Sequence, residues 1–200
     1  GTYYFQQEDQ EKALNLFLKS MECADRFERP QVTADAIRGL AWIYYDRKDF
    51  SKAEKYLLEG IGIAEKTKIP YVKALLERIL GRVYTETKSY DKALVRYNSS
   101  LEFLNQIGSQ FHQFELPNNI SNTYYKIGNY KKGLEYAQDA FAIAKQINDT
   151  TYLNSSKLSI ADCSIKLMDF NTSNTLLLEI SKDTVNKKRW PSHIKKRLYE

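Results

Sequence analysis

Apolar and small residues recur along this chain at spacings of three and four, the signature of a helix face pressed against a neighbour. Between residues 53 and 64 that face is Ala53, Leu57, Gly60, Ile61 and Ala64. It returns forty residues upstream as Ala13, Phe17, Ser20, Met21 and Ala24. Forty residues downstream it is Ala93, Tyr97, Ser100, Leu101 and Leu104, then Gly133, Ala137, Ala140, Phe141 and Ala144. A second face alternates with the first. It reads Leu40, Ala41, Tyr44, then Leu80, Gly81, Tyr84, then Ile120, Ser121, Tyr124, and ends in Ile160, Ala161, Ser164, where serine breaks the tyrosine column. Gly1 and Tyr4 occupy the matching places at the start. Self-similarity at a fixed period describes a stack of helical hairpins, each completing the core of the next, rather than one shared core.

Polar residues punctuate the same period. Asp9, Asp49, Ser89, Asn129 and Asp169 stand forty apart. Each is a type that accepts a hydrogen bond from the free N–H groups of a first helical turn, so each predicts the start of a unit's second helix. An aromatic follows in four units, as Phe50, Tyr90, Tyr130 and Phe170. Lys12-Ala13, Lys52-Ala53 and Lys92-Ala93 repeat as one dipeptide, with Lys132-Gly133 in the next slot. The small residue of each pair, Ser173 included, marks where paired helices cross closely. Pro30 and Pro70 sit where a helix start tolerates the missing N–H and predict the first helices of the second and third units. Pro117 falls inside the fourth unit's first helix, which must either start late or kink.

These columns resemble the tetratricopeptide repeat. Gly81, Tyr84, Ala93, Tyr97 and Ser100 follow that family's order of small and bulky positions, as do Ala41, Tyr44, Ala53, Leu57 and Gly60. The resemblance implies an all-α, right-handed superhelical solenoid of antiparallel helix pairs. It covers residues 1–181, in about five repeats at 1–29, 30–69, 70–109, 110–149 and 150–185; a basic segment at 186–200 would begin a sixth. The family's usual period is about 34 residues, and the longer period here resembles repeats of bacterial signalling proteins. Both ends read as cut through a longer array.

In the resembled family the second face of the first helices, turned inward along the array, lines a concave groove for peptides. Arg38, Trp42, Tyr45 and Asp46 form that side in the second unit, pointing away from Leu40, Ala41 and Tyr44. The matching columns hold Arg78, Arg82, Thr85 and Glu86, then Asn118, Asn122, Tyr125 and Lys126, then Leu158, Asp162, Ile165 and Lys166. Arginine holds a carboxylate in a two-pronged grip, and asparagine pairs with both N–H and C=O of a peptide backbone. Trp42 and Tyr45 offer a place to bury an apolar ligand side chain. The candidate partner-binding residues are therefore Arg38, Trp42, Tyr45, Arg78, Arg82, Asn118, Asn122 and Tyr125. Against this stands a plainer reading, in which Trp42 packs between units and Arg78 and Arg82 pair with Glu77 or Glu86 along their own helix.

Composition narrows the picture further. With 42% hydrophobic residues, the 200-residue chain has enough apolar material for a folded core. The net charge of +5 is carried by one end: residues 182–200 hold seven basic side chains against Asp183 and Glu200, and the rest is neutral. No nucleic-acid partner is expected within the array. That basic end is read as the solvated start of a sixth unit, or else as a patch for an acidic partner or membrane surface with Trp190 as anchor. No apolar run is long enough to span a membrane. Cys23 and Cys163, expected as two buried thiols, suit a cytosolic chain and admit a periplasmic one. His112 and His193 are the only histidines, and no phosphate loop, zinc spacing or nucleophile motif occurs, so no enzyme, metal or cofactor is expected. The expectation is a protein- or peptide-binding domain, a sensor or adaptor in bacterial signalling. The alternative is a structural spacer or dimerisation arm for an output domain, in which case a homodimer would form.

Overall fold

The helix starts expected after the capping residues and at Pro30 and Pro70 are matched in a computed structural model of the chain, which describes residues 9–27, 29–106 and 110–182. The described helices are α1 (Gln10–Arg26), α2 (Pro30–Asp46), α3 (Phe50–Lys66), α4 (Pro70–Glu86), α5 (Tyr90–Gln106), α6 (Gln110–Ile127), α7 (Tyr130–Ile147), α8 (Thr150–Lys166) and α9 (Phe170–Lys182). No strand occurs among the described residues. Each helix begins twenty residues after its predecessor, so the forty-residue period divides into two equal halves. Even-numbered helices are the first helices of their repeats and odd-numbered helices the second. The places expected for Gly1, Tyr4 and the basic segment 186–200 lie outside the described residues.

The chain forms two compact units, Gly1–Ile107 and Gly108–Glu200. In the first, helices α1 to α5 pack in sequence, and α2 also lies against α4. In the second, α6 to α9 do the same, and α6 lies against α8. Within each unit, successive first helices thus stand side by side with the second helices packed against them, as a row of helical hairpins requires.

The joints between helices follow one design. Lys48, Lys68, Lys88, Asn148 and Met168 have φ between 54° and 63°, and Gly128 has φ 91°. These left-handed residues close the preceding helix. At the first joint the N–H of Lys48 reaches the carbonyl of Tyr45 at 2.9 Å, and that of Asp49 reaches Tyr44 at 2.9 Å. The same pair of bonds closes α3, α4, α6 and α8, and satisfies carbonyls that a helix end leaves open. Asp49 then opens the next helix, its side chain accepting from the Lys52 N–H at 3.2 Å. Asp9, Asn129 and Asp169 cap in the same way. Asp149, which the forty-residue spacing does not pick out, caps α8 through the N–H of Tyr152 at 3.0 Å. A cap of this kind contributes about 1 kcal/mol. The hydrogen bond from Lys52 holds the Asp49 carboxyl below its ordinary value.

The recurring Lys-small dipeptide serves two faces at once. Lys52 bridges Asp49 at 2.9 Å and its ammonium lies 5.3 Å from the centre of the Tyr44 ring. Lys92 sits likewise over Tyr84 and Lys132 over Tyr124. The partner residues Ala53, Ala93 and Gly133 turn the other way and are buried. Tyr44 stacks on Tyr56 with centroids 5.5 Å apart, and Tyr124 on Tyr136 at 5.7 Å. The Tyr84 hydroxyl instead donates to Glu54 at 2.9 Å.

Where hairpin helices cross, small residues bring backbones within reach of side-chain hydroxyls. Ser100 donates to the Ala74 carbonyl at 2.8 Å, and Ser121 to the Gly133 carbonyl at 2.7 Å. Gly81 leaves room for the buried Tyr97 ring, since a methyl group there would come within 2.5 Å of it. Pro117 is accommodated without delay: α6 begins at Gln110 and runs through the proline. A proline so placed removes the bond to the carbonyl four residues earlier, which leaves the kink as the surviving expectation.

The two thiols differ, correcting the expectation that both are buried. Cys163 is buried against Ser121 and Gly133, whereas Cys23 is exposed on α1, and both are free. Burial pushes the Cys163 thiol up to about 11 from an ordinary 9.0, against a smaller lowering by its hydrogen bond to Ser121.

Two measurements check this packing. Gly62 faces open space, so Gly62→Ala gains helix propensity and should stabilise the protein by up to about 1 kcal/mol. Gly81→Ala carries the same gain but forces the Tyr97 ring aside, and should destabilise by about 1–3 kcal/mol in denaturant titration. Iodoacetamide at pH 8 should label one thiol per native chain, at Cys23, because Cys163 is both covered and protonated; two should react after denaturation. Peptide mapping that found both modified in the native protein would contradict the buried position of Cys163.

Candidate functional site

The last turns of α2 place Trp42 and Tyr45 three residues apart, on the side away from the buried Leu40, Ala41 and Ile43. Their rings meet edge to face with centroids 5.6 Å apart and planes at 79°. Tyr45 in turn meets Phe50, the first residue of α3, at 5.7 Å. Arg82 stands on α4, forty residues after Trp42 and in the same column. Because α4 lies against α2, its guanidinium carbon comes to rest 4.5 Å from the centre of the Trp42 ring and 4.9 Å from that of Tyr45. Such cation–π contacts contribute about 0.5–2 kcal/mol each, depending on solvent access.

Charge around this platform is arranged unevenly. Arg38 pairs with Asp35 on its own helix at 3.1 Å. Loss of solvent raises the Asp46 carboxyl above its ordinary value, and attraction to Arg82 partly offsets that rise. The Arg82 guanidinium donates no hydrogen bond to any described residue. Arg78 is buried at 5% exposure, whereas Arg38, Trp42, Tyr45 and Arg82 are half-buried.

Glu77, one of the two partners the plainer reading offers to Arg78 and Arg82, is engaged elsewhere. Glu77 is buried and accepts from the Ser99 hydroxyl at 2.7 Å, with Arg96 at 3.6 Å. Thr85 also leaves the expected face: it is buried, donating to the Gly81 carbonyl at 3.0 Å and lying 3.2 Å from the Tyr97 hydroxyl. A short side chain in that column can fold back onto its own helix, as Thr85 does, where the Tyr45 ring projects outward.

In the second unit, the Asn118 carbonyl oxygen accepts from the Ser159 hydroxyl of α8 at 3.1 Å, so this asparagine helps bind neighbouring repeats together. Asn122 is half-buried, and its side-chain amide makes no hydrogen bond with the described residues. Tyr125 meets Tyr130 at 5.5 Å, the counterpart of the Tyr45–Phe50 contact. Leu158, expected on the same face, is buried instead with Ile180, with Leu177 packed against them. Phe50 reads as the aromatic after a cap and not as a member of this face, and Ser159 is not singled out by column reading. The aromatic five residues after Tyr45 and Tyr125 was the available signal for the first, whereas Ser159 lies in another column and gave none.

Among the described residues no group of three acidic, histidine or cysteine side chains could hold a metal ion, and no helix is long and apolar enough to cross a membrane.

Comparison with known proteins agrees with this geometry. Two family profiles described as Tetratricopeptide repeat match residues 1–66 and 118–150. No curated protein matches the chain. Among solved structures, BtubC from P. vanneervenii is similar at 15% identity and TM-score 0.80, covering 90% of this chain and 74% of that one. A Rap protein complexed with Competence and Sporulation Factor is similar at 21% identity and TM-score 0.80, covering 91% of this chain and 51% of that one. This chain therefore spans about half the length of that Rap protein. A kinesin light chain from Podosopora anserina with nearly identical repeats is similar at 14% identity and TM-score 0.73, covering 94% and 92%. At these identities the likeness is one of fold. With the matched profiles, the forty-residue columns and the packed hairpins all in agreement, the chain is a tetratricopeptide repeat protein.

Proposed function

We propose that this chain is a protein- or peptide-binding repeat domain, acting as sensor or adaptor in a bacterial signalling or regulatory protein. The observation that carries the reading is the Trp42–Tyr45–Arg82 platform. It is half-buried, built from two adjacent first helices, and lies on the side away from the buried Leu40, Ala41 and Ile43. Aromatic and arginine side chains of this kind are the residues on which binding energy concentrates. In the second unit, the half-buried Asn122 amide supplies both a donor and an acceptor suited to a peptide backbone. The likeness to a Rap protein complexed with Competence and Sporulation Factor supports a partner-binding role. The chain is not expected to be an enzyme, and no nucleic-acid partner is needed to account for it.

The test is binding to an immobilised peptide library. Trp42→Ala should weaken capture by about thirtyfold, near 2 kcal/mol, and Asn122→Ala by a smaller factor, with helical content unchanged in both. Wild-type affinity in both variants would remove the site from this face.

A dimerisation arm is favoured by one observation, the exposure of Met168, Phe170 and Leu178 near and along α9, at 79%, 56% and 60%. It predicts self-association, and sedimentation as a monomer at high concentration would exclude it.

A further inference from the structure

We infer that the buried Glu77 carboxylate is a matching device, which makes α4 accept α5 as its hairpin partner and reject α3, α7 and α9. Repeats of equal length carry a hazard of their own. A first helix can pair with the second helix of another repeat, in the same chain or in a second copy. Size gives weak protection, because every crossing is built from similar small residues. A buried charge gives more, since it is tolerated only where a partner meets it.

Glu77 is 3% exposed. Two residues of α5 meet it: the Ser99 hydroxyl donates at 2.7 Å, and the Arg96 guanidinium lies at 3.6 Å. Ser99 follows Glu77 by twenty-two residues. The same interval joins Lys157 on α8 to Glu179 on α9, which form an ion pair at 2.7 Å. One contact position thus carries its acid on the first helix in one repeat and on the second helix in the other. Ile37 with Glu59, and Pro117 with Asp139, stand in the same two columns. The second-helix column is therefore acidic at Glu59, Asp139 and Glu179, and becomes a hydroxyl in the repeat whose first helix supplies the acid. The Arg96 column agrees, holding Tyr56, Tyr136 and Leu176 in those other helices. Paired with α3, α7 or α9, Glu77 would face a second carboxylate with no arginine beside it. One of the two acids would then be buried unpaired or forced to take up a proton. On α1 the column holds Lys19, which Glu77 does not exclude.

The experiment uses the whole chain, unfolded in urea and refolded by dilution, with never-denatured protein as the reference. Ser99→Glu sets two carboxylates together and should raise the unfolding equilibrium constant by about a hundredfold or more, up to failure to fold. Combining Glu77→Ile with Ser99→Glu gives this repeat the residue types of Ile37 and Glu59, and leaves Arg96 an acid three residues along its own helix. That pair should bring the constant back to within about tenfold of wild type. Stability is then restored, yet α4 no longer rejects the other second helices. The share of refolded protein that misses the reference position in gel filtration should therefore rise several-fold. Glu77→Gln keeps an acceptor for Ser99 without the charge and should raise the same share, and it decides the matter if the double variant does not fold. A contact with a structural role alone would alter stability and leave that share at the wild-type level. Such a result in both variants overturns the inference, and so does Ser99→Glu protein as stable as wild type.

Discussion

The close approach of paired helices is the constraint on which the rest of this structure depends. Ala13, Ala53, Ala93, Gly133 and Ser173 are buried on the second helices, and at Gly133 the Ser121 hydroxyl of α6 reaches the glycine carbonyl. Helices of about 17 residues are marginal alone in water. They persist here because, within each unit, successive helices bury their faces against one another. Any bulk added at the crossing would push the hairpin apart and shift every column that follows it within the unit. The fifth repeat shows how far the pattern can degrade and still hold: Ser164 replaces tyrosine and Ser173 replaces alanine, yet Leu158 and Ile180 still close a small core.

Regular joints transmit that packing along the chain. A single residue such as Asp49 donates its backbone N–H to finish one helix and accepts with its side chain to start the next. The link between helices is therefore short and its direction is set on both sides. With a strict interval of twenty residues between helix starts, residues forty apart fall in one column of neighbouring first helices. This is why Arg82 on α4 meets Trp42 on α2 and rests on its ring. The aromatic–guanidinium platform is thus a product of repeat geometry, assembled from residues that are distant in sequence and unremarkable singly.

The columns legible in the chain were those in which burial demands a particular size. Alanine, glycine and serine at the crossings, tyrosine beside them, and prolines at helix starts all signal steric requirements that act locally or through the nearest helix. The starts of the second helices, those of α2 and α4, and the hairpin order followed from them. The left-handed joints were less visible, because lysine at positions 48, 68 and 88 gives no hint of a conformation that glycine usually fills.

Side-chain roles on the first helices were decided by tertiary structure. Arg38, Arg78 and Arg82 are one residue type on one face of the sequence pattern, yet the first pairs with Asp35, the second is buried, and the third lies across two rings. Asn118 and Asn122 differ in the same manner, one bonded to Ser159 and the other not. The sequence by itself determined which residues share a face, because helical periodicity is a local property of the backbone. Only the tertiary structure decided which of them is covered, paired or open, because that depends on what the adjacent helix brings to each position.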